Sequence, residues 1–109
     1  MTVQQLCKEC NFTPIVSKNL NNEVNGAYAC DLLSWVIGRA AESSALVTVM
    51  TNVNVIAVAA MADLSCVVLT EGVKLDQNAL DKAIQNEIPV ISSDKTTYET
   101  CVLISKAIG

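Results

Sequence analysis

Histidine is missing from this 109-residue chain altogether. Its absence removes Ser-His and Cys-His nucleophile activation, imidazole metal ligands and phosphohistidine chemistry in one stroke. Aromatic residues are nearly as scarce, with one Phe, two Tyr and one Trp, and Asp and Glu outnumber Lys and Arg by 11 to 7. The resulting charge of -4 offers no basic patch for phosphates and few rings for stacking on bases, so no nucleic-acid partner is expected. Only four glycines are present, Gly26, Gly38, Gly72 and Gly109, and none precedes Lys-Ser or Lys-Thr. A Walker A loop or a kinase glycine-rich loop needs a close glycine array, so a complete kinase or NTPase is excluded. Residues 1–10 lack a basic and then apolar leader, so no signal peptide is expected. Five cysteines, an odd number, fit a reducing cytoplasm better than a disulfide framework.

What the chain has in excess is apolar residues, 51% against 17% charged. One domain of this length buries a single core, and the surplus of apolar side chains points to a surface covered by a partner, most simply a second copy. Residues 43–62 carry no charge and are long enough to span a bilayer, but Thr48, Thr51, Asn52 and Asn54 fall at the middle, where unpaired amides are costly. No membrane span is expected, and the run divides into strand and helix.

Taken in order, Thr2 and Gln5 have capping-box spacing, and Val3, Leu6, Cys7 and Cys10 form one stripe of a first helix. Residues 12–17 read as an edge strand around Pro14, and residues 18–25 as a loop closing at a turn on Gly26. A helix follows, with Asp31 in its first turn and Leu32, Leu33, Val36, Ile37 and Ala40 inward. Residues 45–50 and 65–70 are two-sided apolar strands, separated by a nearly uncharged helix capped at Thr51 or Asn52. Asp76 caps the next helix, with Leu80, Ala83 and Ile84 inward; residues 88–92 form a last strand; and Thr96 with Glu99 opens a closing helix whose inner stripe is Tyr98, Cys101, Val102, Ser105 and Ile108. Strands alternating with helices of about three turns predict a single α/β domain over residues 1–109, a small, mainly parallel sheet with flanking helices.

Three features are candidates for function. Cys7 and Cys10, at i and i+3, could share a metal or form a redox couple, or serve as small core hydrophobes. Small polar residues follow each strand, at Ser17-Lys18, Thr51-Asn52, Thr70-Glu71-Gly72 and Ser92-Ser93-Asp94. On a parallel sheet these line one rim, where Thr51, Asn52, Asn54, Thr70, Gly72, Ser92 and Ser93 could hold a small anion at helix N-termini, or act simply as caps and turn formers. The apolar surface of the central helix, with Val53, Ile56, Met61 and the neighbouring Trp35, is the candidate dimer interface.

The residues Gly26-Ala27-Tyr28 with Asp31-Leu32-Leu33-Ser34, Val47-Thr48, Asn54 to Ala59 and Ile88 to Ser92 resemble the DRTGG domain family, over about Phe12 to Ile108. The family is also similar to the N-terminal domain of HPr kinase/phosphorylase, whose catalytic P-loop domain has no counterpart here. Its signature maps onto Asp63-Leu64 and Thr70-Glu71-Gly72, with Leu64 in place of Arg and Glu71 in place of Gly. The resemblance implies a cytoplasmic, non-catalytic regulatory and dimerising module without a cofactor, often beside nucleotide-sensing CBS domains. It also implies a redox or hydrogenase-associated protein partner.

Overall fold

A computed structural model describes all 109 residues. The elements are α1 (Val3–Cys10), β1 (Thr13–Val16), β2 (Gly26–Ala29), α2 (Leu33–Arg39), β3 (Ser44–Thr48), α3 (Val53–Met61), β4 (Cys66–Leu69), α4 (Gln77–Gln85), β5 (Val90–Ser92) and α5 (Thr97–Ile108). One sheet of five strands runs in the order β1-β5-β4-β3-β2. Strands β2 to β5 are parallel, and β1 pairs antiparallel with β5 at one edge. Pro14 sits on that edge strand, where its missing N–H costs no ladder bond.

The central strands divide their side chains between two cores. Leu46, Val67, Leu69 and Val90 pack with Val36 of α2, Val55, Ile56 and Ala59 of α3, and Ala79 and Ala83 of α4. Ala45, Val47, Cys66, Val68 and Ile91 point the other way, onto Val3, Leu6, Cys7 and Cys10 of α1 and Ile104 of α5. The molecule therefore has three layers, with three helices on one face of the sheet and two on the other. The connections β2-α2-β3, β3-α3-β4 and β4-α4-β5 all step the same way along the sheet with their helices on one face, so they share one hand.

The uncharged run expected to split does so. Its first part is β3, buried on both faces; Asn52 is the N-cap of α3, its Oδ1 accepting from the Asn54 N–H at 3.0 Å; and α3 follows. No helix is long and apolar enough to cross a membrane. Both predicted capping boxes form, Thr2 with Gln5 and Thr96 with Glu99.

Several local expectations need correction. Gly26 opens β2 rather than a turn; its sequence GAYA has two alanines and a glycine, which pack poorly on a pleated surface, and only backbone pairing with β3 makes it a strand. Asp31 lies outside α2, which begins without a side-chain cap. Leu32, Ile37 and Ile84 are about half-exposed instead of inward. Helix α5 is rotated from the predicted stripe: Thr100 and Ile104 are its buried residues, whereas Tyr98 is 78% exposed. Thr100 tolerates burial because its hydroxyl meets that of Ser93 at 2.8 Å, a bond that apolar periodicity does not register.

The proposed interface residues also separate. Ile56 is 0% exposed and belongs to the core beneath α3, so it cannot meet a partner, whereas Met61 is 69% exposed. Replacing Ile56 with Ala is expected to cost about 2–5 kcal/mol in urea unfolding. Replacing Met61, which is outside the core, with Ala is expected to cost less than Ile56→Ala at the same protein concentration.

Candidate functional site

The carboxyl ends of β2 to β5 define one rim. Ser17-Lys18 does not belong to it, because β1 runs antiparallel and ends at the opposite rim. The place is taken by Asp31, just beyond β2, whose Oδ1 accepts from Thr48 Oγ1 at 2.7 Å and from the Val49 N–H at 3.0 Å. After β4 the chain turns to the α4 face, and after β5 it turns to the α5 face. The gap between these two exits is where open α/β sheets leave a crevice for a ligand.

In this chain the two exits are tied together. The Glu71 N–H donates to the Lys95 carbonyl at 2.8 Å, and the Gly72 N–H to the Ser93 carbonyl at 3.3 Å. Thr70 and Thr97 share a hydroxyl bond of 2.7 Å, and the Thr97 N–H, first of α5, donates to Glu71 Oε2 at 2.8 Å. Glu71 and Gly72 both have positive φ, 61° and 68°. Such a conformation is uncommon for glutamate; the bonds to both its backbone and its side chain hold it there.

The rim residues expected from the sequence fall into three groups. Gly72 and Ser92 come together on a cavity of about 430 Å³, walled by Ile15, Leu69, Val73, Leu75 and Leu80, with Lys74 and Asp94 also on its lining. Thr70 and Ser93 are buried, and their hydroxyls are spent on Thr97 and Thr100. Thr51, Asn52 and Asn54 stand one strand away and serve local structure: Thr51 Oγ1 donates to Asp76 Oδ1 at 3.3 Å, and Asn52 caps α3. The turn residues therefore act largely as caps and ties. The lining role of Lys74 and the apolar walls carried no signal in the sequence, since β1 and α4 meet at the cavity only through the fold.

The signature residues mapped from the resemblance do not form one site. Asp63 and Leu64 precede β4 at the amino rim, on a polar cavity of about 260 Å³, while Thr70 to Gly72 follow β4 at the carboxyl rim. Six residue steps of about 3.3 Å put Leu64 and Thr70 about 20 Å apart. A third cavity, of about 410 Å³, lies between edge strand β2 and α5.

Cys7 and Cys10 lie in the α1 core stripe. No three His, Cys, Asp or Glu side chains are grouped to share a metal. Burial, with a smaller contribution from Cys10, pushes the Cys7 thiol up to about 11; burial raises Cys10 as well, and Glu9 adds to it. Burial likewise pushes Cys66 well above the ordinary thiol range. These groups are held as neutral thiols, the less reactive form.

The DRTGG domain family matches residues 17–107. Among solved structures, the chain is similar to the CBS and DRTGG domains of the regulatory region of Clostridium perfringens pyrophosphatase, complexed with its activator diadenosine tetraphosphate, at TM-score 0.70 and 11% identity. The similarity covers 97% of this chain and 46% of that one, so the chain spans about half of that regulatory region. No curated protein matches the chain significantly.

The thiols give a pH prediction with a definite sign. The unfolded chain loses thiol protons near 9, before folded Cys7 does near 11, so the folded state binds more protons over that interval. Stability in urea unfolding under reducing conditions is expected to be level below pH 8 and to fall as pH rises from 9 to 11. Replacing Cys7 with Ala should make that fall shallower, the remainder coming from the other raised thiols.

Proposed function

The chain belongs to the DRTGG domain family, and on that premise we propose that it is a non-catalytic regulatory module, working as a homodimer and responding to a small ligand at the carboxyl rim of its sheet. The observation that carries this reading is the cavity of about 430 Å³ beside the β4–β5 crevice, where the sequence-predicted Gly72 and Ser92 meet five apolar walls. A regulatory role also fits the polar groups around it. The hydroxyls of Thr70, Ser93, Thr97 and Thr100 bond one another, and the chain has no histidine to activate a nucleophile. The pyrophosphatase regulatory region, bound to a dinucleotide activator, supports small-molecule sensing as the reading for this chain. A cytoplasmic setting accords with cysteines kept free.

Thermal-shift screening against nucleosides, nucleotides and small metabolites tests the ligand. A ligand at about 100 times its dissociation constant adds about 2.7 kcal/mol, a rise of several degrees for a domain of this size. A ligand found this way should lose its effect when Ser92, on the cavity lining, is replaced with the bulkier Phe. No rise across the panel would leave the domain with a purely structural role.

The dimer reading rests on the outer surface of α2 and α3. Leu32, Trp35, Val53 and Met61 are exposed there, and the Trp35 ring is stacked under Arg39 at 3.7 Å. Sedimentation at tens of micromolar should show a dimer, and Met61→Glu should yield a folded monomer. A parent protein that sediments as a monomer rejects the dimer without touching the ligand reading.

A further inference from the structure

The two edges of the sheet are protected to different degrees. Strand β1 carries Pro14 and a break in register between Pro14 and Val16, two devices that keep another strand from pairing there. Strand β2 has neither: its sequence GAYA holds no proline or charge, and its residues pair with β3 in unbroken register. A parallel strand bonds its neighbour through alternate residues. The Cys30 N–H donates to the Val47 carbonyl at 3.1 Å, which puts Tyr28 among the residues turned to β3 and leaves the backbone groups of Ala27 and Ala29 turned outward. No backbone bond from a turn or loop takes up the amides or carbonyls of these two alanines.

This free edge forms one side of the cavity of about 410 Å³. Ala27 and Ala29 line it, and Tyr28 between them does not. Cys101, Ile104 and Ile108 of α5 give it apolar walls, Ser105 adds a hydroxyl, and no charged side chain is on the lining. Such a volume, with apolar walls and a few placed polar groups, suits a small molecule. The polar groups also come in a fixed order. Along an extended strand the carbonyl of one outward residue and the N–H of the next stand side by side, so the Ala27 carbonyl and the Ala29 N–H present an acceptor next to a donor. Their complement is a flat ring carrying an amino group beside an unprotonated ring nitrogen. A ring of this kind is neutral, in keeping with the uncharged lining, and its faces can lie against Ile104 and Ile108. A partner strand fits less well, because two outward residues fall short of a usual strand of about five or six, whereas one ring needs only two.

We infer that the cavity between β2 and α5 is a second ligand site, separate from the carboxyl-rim cavity, and that it takes a neutral amino-substituted azine such as an adenine or cytosine base. The amino group donates to the Ala27 carbonyl, and the ring nitrogen accepts from the Ala29 N–H.

The test is a titration of the full chain with adenosine, followed on the amide resonances of Ala27, Ala29 and Ser105. These should shift saturably in the parent, and equally in Ser92→Phe, which alters only the other cavity. Purine riboside, which lacks the amino group, should bind about three- to tenfold more weakly, the range of one net hydrogen bond. Ala29→Pro deletes the outward N–H at no cost to the ladder and should weaken adenosine by at least about threefold. Should that variant not fold, Ser105→Trp, at an exposed position of the lining, takes its place and should abolish the shifts at Ala27 and Ala29. Edge resonances unmoved at millimolar adenosine overturn the inference, as does equal binding of adenosine and purine riboside. Shifts confined to Gly72 and Ser92 overturn it too, by assigning the nucleoside to the carboxyl rim, and leave the ligand reading above standing. Edge shifts that follow protein concentration without nucleoside give the edge to a second copy and overturn it as well.

Discussion

The middle strands of this sheet are apolar on both sides, and that constraint organises everything else. β3 and β4 have no solvent-facing residue, so each face needs its own layer of helices. Three helices come from the crossovers between parallel strands and must share one face, because the connections share one hand. The other face can be covered only by elements outside that series, and these are α1, before the first strand, and α5, after the last. The split of the chain to opposite faces after β4 and after β5 follows directly. So does the crevice between them.

Polar ties between the two exits fill that crevice. Buried hydroxyls are normally satisfied, and here every one finds a partner inside the domain. Thr70 with Thr97, and Ser93 with Thr100, join the ends of β4 and β5 to α5. Glu71 adds a charge-assisted bond to the same helix. The rim is thereby rigid and polar at its centre, and the open volume is displaced sideways onto an apolar surface under the β4–α4 loop. A ligand there meets hydrophobic walls first and the polar tie at its edge.

The fold class was legible because its signals are strong and local. Two β-branched runs, two capping boxes and the amphipathic first helix each have one physical reading, and β3, β4, α1 and α5 appear where those signals are. The weaker parts escaped for stated reasons. β2 is held by its neighbour and not by propensity. The inward face of α5 is set by Thr100, a polar residue whose burial depends on Ser93 from another element. Asp31 reads as a helix-start acid, yet it bonds Thr48 and Val49 because the parallel pairing of β2 with β3 brings them within reach. Gly72 and Ser92 were legible as rim residues from their positions after strands. The walls opposite them come from β1 and α4, which no spacing along the chain connects.

The two positions that depart from the family pattern lie on opposite rims of the sheet. Leu64 is buried, and its side chain joins the core under α3. An arginine there would have to run its stem along that core and bring its charge out into the polar cavity at the amino rim, which Asp63 also lines. Leu64 thus strengthens packing at the expense of a cation on that rim. Glu71 works at the far end of β4, where it adds an anion on the carboxyl rim. Sites about 20 Å apart with no shared partner contribute independently, so the two substitutions are separate changes to separate surfaces. Both shift the local charge in the same direction, one by leaving out a positive group and the other by adding a negative one.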